Sequence, residues 1–135
     1  MITTFLKIRD FMLSSIIVVF FGGAIGAVAR FLISEWLPIA KFGIPLTIII
    51  INFFGCFLMG VYDGVFQNFT QNYKIRHFLA IGFLGSFTTF SSFSLEFFNL
   101  LRNNHFFEGF LYLISSLVIS LLGFLLGYSL IKFIP

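Results

Sequence analysis

Along the chain, apolar residues gather into four long runs separated by short polar connections. The first extends from about Leu13 to Ile33 and the second from Pro45 to Val65. The third runs from Ile75 to Leu101 and the fourth from Phe107 to Phe133. About 20 apolar residues carry an α-helix across the hydrocarbon core of a bilayer, so each run predicts one transmembrane helix. The connection SEWLPIAKFG brings Trp36 as an interfacial anchor and Pro38 as a helix breaker. FQNFTQNYKIR is the most polar connection, and RNNHFFEG reads as a tight turn. No linker divides the runs, which predicts a single four-helix transmembrane domain over residues 1–135 in an all-α membrane protein.

Composition agrees with that pattern. Of 135 residues, 59% are hydrophobic and only 10% are charged, with a mean hydropathy of +1.08. A water-soluble domain carries about 25% charged residues, so this chain has too little polar surface for water. Lys7 and Arg9 ahead of an apolar run, with Ala27, Val28 and Ala29 as an A-x-A-like site, resemble a secretory signal. The run is longer than a signal core of about 7–15 residues, so the segment reads as a retained span. Gly22 and Gly26, Gly60 and Gly64, and Gly123 and Gly127 are each four apart and mark faces for close helix packing. The lone Cys56 sits beside Gly55 and reads as a small packing residue.

Four spans place both termini on one side. That side holds Lys7, Arg9, Lys74, Arg76 and Lys132; the other holds Arg30, Lys41 and Arg102. This imbalance modestly favours cytoplasmic termini by the positive-inside rule, and is small enough to suit insertion in both orientations.

The third run departs from lipid-facing chemistry. GFLGSFTTFSSFSLE, from Gly82 to Glu96, carries two glycines, six hydroxyls and a carboxylate. Glycine and threonine are weak helix formers, which predicts a helix break over about Gly85 to Thr89, near the bilayer midplane. Irregular backbone at that depth is tolerated only inside protein or beside a polar cavity. The half-helix before a break ends in free carbonyls that suit a cation; the one after begins with N–H groups that suit an anion. An unbroken helix whose hydroxyls bond back to carbonyls one turn earlier is the alternative.

Other polar groups lie at similar depth. Asn52 interrupts IIIINFFG in the second run, and Tyr112, Ser116 and Ser120 fall on one face of the fourth at i, i+4 and i+8. Singly, each suits an interhelical hydrogen bond. Together with Thr89, Ser91 and Ser92 they outline a hydrogen-bonding lane. Bringing a bare ion into a low-dielectric interior costs tens of kcal/mol, against about 1.5–3 kcal/mol returned per hydrogen bond to a charged group. A small ion therefore needs several donors in succession. Phe90 and Phe93 share the face of the neighbouring hydroxyls, and the electropositive edge of a phenyl ring favours an anion.

GGAIGAVARF in the first run, NFFGCFLMG in the second and GFLGSFTTFSSFSLE in the third resemble the Fluc, or CrcB, family of fluoride channels. The resemblance implies an antiparallel, dual-topology homodimer in the inner (plasma) membrane. Two pores at the subunit interface would passively export fluoride from the cytoplasm. By position, Phe90 and Phe93 would be the pore phenylalanines and Asn52 the pore asparagine. Hydroxyls of the third and fourth spans would complete the track. Gly85 and Thr88 would offer backbone carbonyls to a structural Na⁺ at the dimer interface. Arg30 would sit near an aqueous vestibule, with snorkelling to the interface as the alternative. Glu96 would belong to the conduction region, in a vestibule. Ile48 stands where the family usually has threonine, with Thr47 one place earlier; Ser92 replaces a commoner threonine and Cys56 a common serine.

Two other readings compete. A small proton-coupled multidrug exporter of four spans carries its carboxylate in the first span, where this chain has none. A non-conducting membrane assembly subunit explains the glycines but not the hydroxyls. His77 and His105 read as loop residues, so no intramembrane base serves Ser86 or Ser91 as a nucleophile, and a non-enzyme is expected.

Overall fold

The computed structural model describes residues 2–66 and 72–133. Its first helix, α1 (Ile2–Trp36), is followed by a minimal hairpin of β1 (Ala40–Lys41) and β2 (Ile44–Pro45). Helix α2 (Thr47–Phe66) comes next. The third span opens with α3 (Tyr73–Arg76), widens into a π-helical segment (His77–Leu84) and returns to α geometry in α4 (Gly85–Phe87). It resumes as α5 (Phe90–Arg102), and α6 (Phe106–Lys132) closes the described chain. Four of these stretches are long and apolar enough to cross a membrane: Leu6–Trp36, Thr47–Phe66, Tyr73–Arg102 and Phe106–Lys132. The protein is a multi-pass helical membrane protein.

Several boundaries differ from the sequence reading. Helix α1 runs 35 residues and takes in Trp36, because Lys7, Arg9 and Asp10 can all continue a helix beyond the hydrocarbon edge. The Arg9 and Asp10 side chains pair there at 3.1 Å. His77 is not a loop residue; it opens the π segment and is half-buried. Of the polar connection before it, residues 67–71 lie outside the described residues. The hairpin turns at Phe42 (φ 54°) and Gly43 (φ 76°), and two such residues in succession fit a primed two-residue turn. Thr47 holds the hairpin in place: its Oγ1 accepts from the Ile39 N–H at 2.9 Å and donates to the Leu37 carbonyl at 2.7 Å.

Glycines set the helix contacts. A β-carbon on Gly60 would strike the Phe124 carbonyl, and one on Gly127 the Phe57 carbonyl. The same holds for Gly22 and Gly26 against Phe78 and Phe83 of the π segment. Lipid is as apolar as leucine, so close backbone approach, not hydrophobic exclusion, joins membrane helices. α5 ends in a Schellman turn: Asn104 takes φ 62°, while the His105 and Asn104 N–H groups reach the Leu100 and Leu101 carbonyls at 2.9 and 3.0 Å. That turn sends α6 back along α5.

Replacing Gly127 or Gly60 with valine is expected to destabilise the purified protein by about 1–3 kcal/mol through overpacking. Leu126→Val, at a site 55% exposed on the outer face, is expected to leave the thermal midpoint nearly unchanged. Thermal unfolding in one detergent compares the three.

Candidate functional site

Helical geometry stops at Thr88 (φ −75°, ψ 152°) and Thr89 (φ −148°, ψ 126°), both extended. Gly85, the first residue of the interval expected to break, stays helical at φ −64°, ψ −30°. The threonines have a reason to be the turning point. β-Branched residues are restrained in helices, and both hydroxyls are engaged by caps. Thr88 Oγ1 and its N–H both bind the Leu84 carbonyl, at 2.9 and 3.0 Å. Thr89 Oγ1 accepts from the Ser92 N–H at 3.2 Å and caps the start of α5. Back-bonding hydroxyls coexist with this interruption, as Ser94 Oγ donates to the Phe90 carbonyl at 2.9 Å.

Two side chains from other helices hold the interrupted backbone. Asn52 accepts from the Thr89 N–H at 2.8 Å and donates through Nδ2 to the Thr89 carbonyl at 3.1 Å. One amide thus satisfies both peptide groups of Thr89, as a neighbouring strand would. From α1, Arg30 Nε donates to the Ser86 carbonyl at 3.1 Å; Arg30 therefore reaches the interrupted span rather than only the interface. The Gly85 and Thr88 carbonyls accept none of the hydrogen bonds found among the described residues.

Beside this backbone lies an open groove of about 480 Å³. α2 contributes Asn52 and Cys56; the interruption contributes Gly85, Thr88 and Thr89. Phe90 and Phe93 come from α5, and Ser116 and Ser120 from α6. Phe90 is 71% exposed, whereas Phe93 is buried; their ring centroids lie 5.1 Å apart. Ser116 Oγ is buried near the Tyr112 hydroxyl, yet has no hydrogen-bond partner of good geometry among the described residues.

The remaining candidates lie elsewhere. Tyr112 is fully buried behind Phe93, the rings stacked at 5.2 Å, and its hydroxyl donates to Glu96 Oε2. Glu96 opens on a second cavity of about 240 Å³, beneath the hairpin and lined also by Ser34, Thr47 and Ile48. Ser91 is exposed and Ser92 half-buried; both hydroxyls bond Thr89 Oγ1, at 3.0 and 3.3 Å. The structure therefore gathers Asn52, Gly85, Thr88, Thr89, Phe90, Phe93, Ser116 and Ser120 into one groove. It does not bring Arg30, Ser91, Ser92, Glu96 or Tyr112 to its lining. Cys56 lines the groove although its sequence position suggested only packing. Its spacing of four from Asn52 was the available signal. Thr47, the hairpin's anchor, was signalled by a hydroxyl at the head of an apolar helix.

Four helices long and apolar enough to cross a bilayer, with a hydroxyl- and amide-bearing groove beside the extended Thr88 and Thr89, define a multi-pass membrane protein with a polar groove among its spans. Residues 17–128 match the family described as "CrcB-like protein, Camphor Resistance (CrcB)". A protein of Azobacteroides pseudotrichonymphae genomovar. CFP2 named "Fluoride-specific ion channel FluC" is 39% identical over 124 residues, 90% of this chain and 99% of that relative. One of the same name from Chlorobium phaeobacteroides is 39% identical over 112 residues, 82% of this chain and 88% of the relative. "Fluoride-specific ion channel FluC 1" of Halalkalibacterium halodurans is 35% identical over 122 residues, 84% and 94% of the two chains. The chain belongs to the CrcB-like family.

Asn52→Leu leaves the peptide groups of Thr89 without their partner, and is expected to cost about 1–3 kcal/mol for each buried group left unpaired. Thermal unfolding measures the loss. Hydrogen exchange across residues 88–92 is expected to accelerate locally.

Proposed function

We propose that the protein is a fluoride-specific ion channel that passively exports fluoride across the plasma membrane. The observation that carries this reading is the groove itself: amide and hydroxyl groups collected on one open flank, against aliphatic and aromatic residues on the outer faces of α1 and α6. An anion shedding water there meets the second N–H of the Asn52 amide and the Ser120 hydroxyl, with Ser116 on the same lining. None of these carries a fixed charge that would trap it. The relatives' shared name supports fluoride as that anion.

One chain supplies half an enclosure. A polar groove cannot face hydrocarbon, so a second copy covers it, and Phe90 of each chain packs at the joint. The five-to-three division of basic residues supports insertion in both orientations and hence an antiparallel homodimer. Each chain acts as one four-helix unit whose third helix is interrupted near the midplane. The unengaged Gly85 and Thr88 carbonyls fit a Na⁺ shared between the copies. Such an ion would neutralise the carbonyl dipoles and tie the subunits together.

Transport is passive in this reading because the groove is lined by hydroxyl and amide groups, while Glu96 opens on the other cavity. Glu96 and Arg30 then belong to the approaches, with Ser91 and Ser92 supporting the Thr89 cap. No chemical conversion of the ion is involved.

Purified protein in liposomes is expected to release trapped fluoride without a proton gradient and to release chloride far more slowly, as read by ion-selective electrodes. Fluoride release that requires a pH gradient, or that chloride matches, overturns the channel in favour of an exporter or a leak. Phe90→Ile and Asn52→Asp are each expected to slow fluoride release by at least about tenfold, a loss of ~1.4 kcal/mol in the barrier. Size-exclusion chromatography checks that the dimer persists.

A further inference from the structure

Phe42 stands at the tip of the hairpin, and its backbone and its ring both depart from an ordinary turn. The turn is formed by Phe42 (φ 54°) and Gly43 (φ 76°). Asn, Asp or Gly takes the first of these positions at least cost, and a bulky residue in the left-handed region is an outlier. The Phe42 ring is also 85% exposed. The other exposed aromatic residues of the described chain sit on spanning helices or at their ends, where lipid accounts for them. Phe42 sits between two spans, on a connection.

The fold sets that tip level with the edge of the bilayer. A β-carbon on Gly43 would meet Glu108 Cγ at 3.7 Å, so the hairpin leans on the first turn of α6, where the fourth span begins. Phe106 and Phe107 of the same turn are strongly exposed, as is Trp36 at the end of α1. Phe42 thus joins three outward aromatics at the end of the bundle opposite the termini. Aromatic rings at the ends of spans favour the membrane–water interface. Lys41 adds a cation: its Nζ lies 5.4 Å from the Phe42 ring centroid, as for an ammonium reaching past an apolar body toward the polar layer.

We propose that the hairpin is a membrane anchor whose Phe42 ring seats among the upper acyl chains of the surrounding lipid. Lipid is the occupant because the tip continues the aromatic rim of two spans that already meet it, and because the charge beside the ring has the sign that lipid phosphate attracts. Burial of the ring in lipid offsets the backbone cost at φ 54°. The same hairpin covers the cavity on which Glu96 opens, so a seated tip holds that cover at a fixed height. The anchor stands apart from what the protein conducts.

Fluorescence in vesicles reads the surroundings of the tip. The chain has one tryptophan, Trp36. Combining Trp36→Phe with Phe42→Trp keeps an aromatic at the end of α1 and leaves a single indole, at position 42. The full chain is reconstituted in phosphatidylcholine, in phosphatidylcholine brominated on the upper acyl chain, and in the same lipid brominated near the chain end.

Upper-chain bromine is expected to remove most of the emission, with chain-end bromine and aqueous iodide each removing little. Emission untouched by either bromine overturns the anchor. Strong quenching by iodide then puts the tip in water, and protection from iodide puts it against protein, a second copy included. If the double variant fails to fold, a nitroxide on Phe42→Cys in a Cys56→Ser background decides. Relaxation of the nitroxide driven more by oxygen than by a water-soluble nickel complex supports the anchor, and the reverse overturns it.

Discussion

Everything at the groove depends on the pairing of one amide with one peptide unit. A helix interrupted in hydrocarbon exposes N–H and C=O groups, and each costs several kcal/mol unless a partner is found inside the protein. Asn52 supplies donor and acceptor to Thr89 at once. Its placement is itself set by packing. The next residue along α2, Phe53, offers the carbonyl against which Gly123 of α6 closes. The depth of α2, and so the height at which Asn52 meets the third span, is fixed by glycines on its far side. A contact between two apolar helices thereby determines where a third can depart from helical geometry.

Phe93 divides the polar interior in two. One side of the residue belongs to the groove, and its ring stacks on Tyr112 and Phe97. Behind it the Tyr112 hydroxyl donates to Glu96, which lines the cavity under the hairpin. The carboxylate thus lines the hairpin cavity and not the groove, with the Phe93–Tyr112 stack lying between the two. In the proposed reading this matters, because a carboxylate among the groove's donors would repel an anion. Ile48 is buried beside Glu96, and the Thr47 hydroxyl is engaged by the segment leading into the hairpin.

Much of this was legible in the residues. The four apolar runs and the glycine pairs follow from lipid solvation and backbone contact, which act locally and leave a periodic trace. The expected interval, Gly85 to Thr89, contains the extended residues Thr88 and Thr89, though the turning point is not its glycine. Gly85 is the residue that most permits a break, whereas Thr88 and Thr89 are the ones whose hydroxyls cap the two ends. Capping depends on partners several residues away and outweighs intrinsic permissiveness. The reach of Arg30 to Ser86, a separation of 56 residues, and the joining of Tyr112 to Glu96 are tertiary facts with no local signature. The hairpin was hidden by Phe42, a residue that rarely signals a left-handed turn. The π segment was hidden for another reason: HFLAIGFL has the composition of any membrane helix.

That wide-turned segment is where α1 comes closest. Gly22 meets Phe78 and Gly82, and Gly26 meets Phe83. A π turn holds one residue more than the α turn it replaces. Losing a single codon between Phe78 and Phe83 would slide one of these backbone contacts past its glycine, so the bulge and the α1 glycines are inherited as a pair.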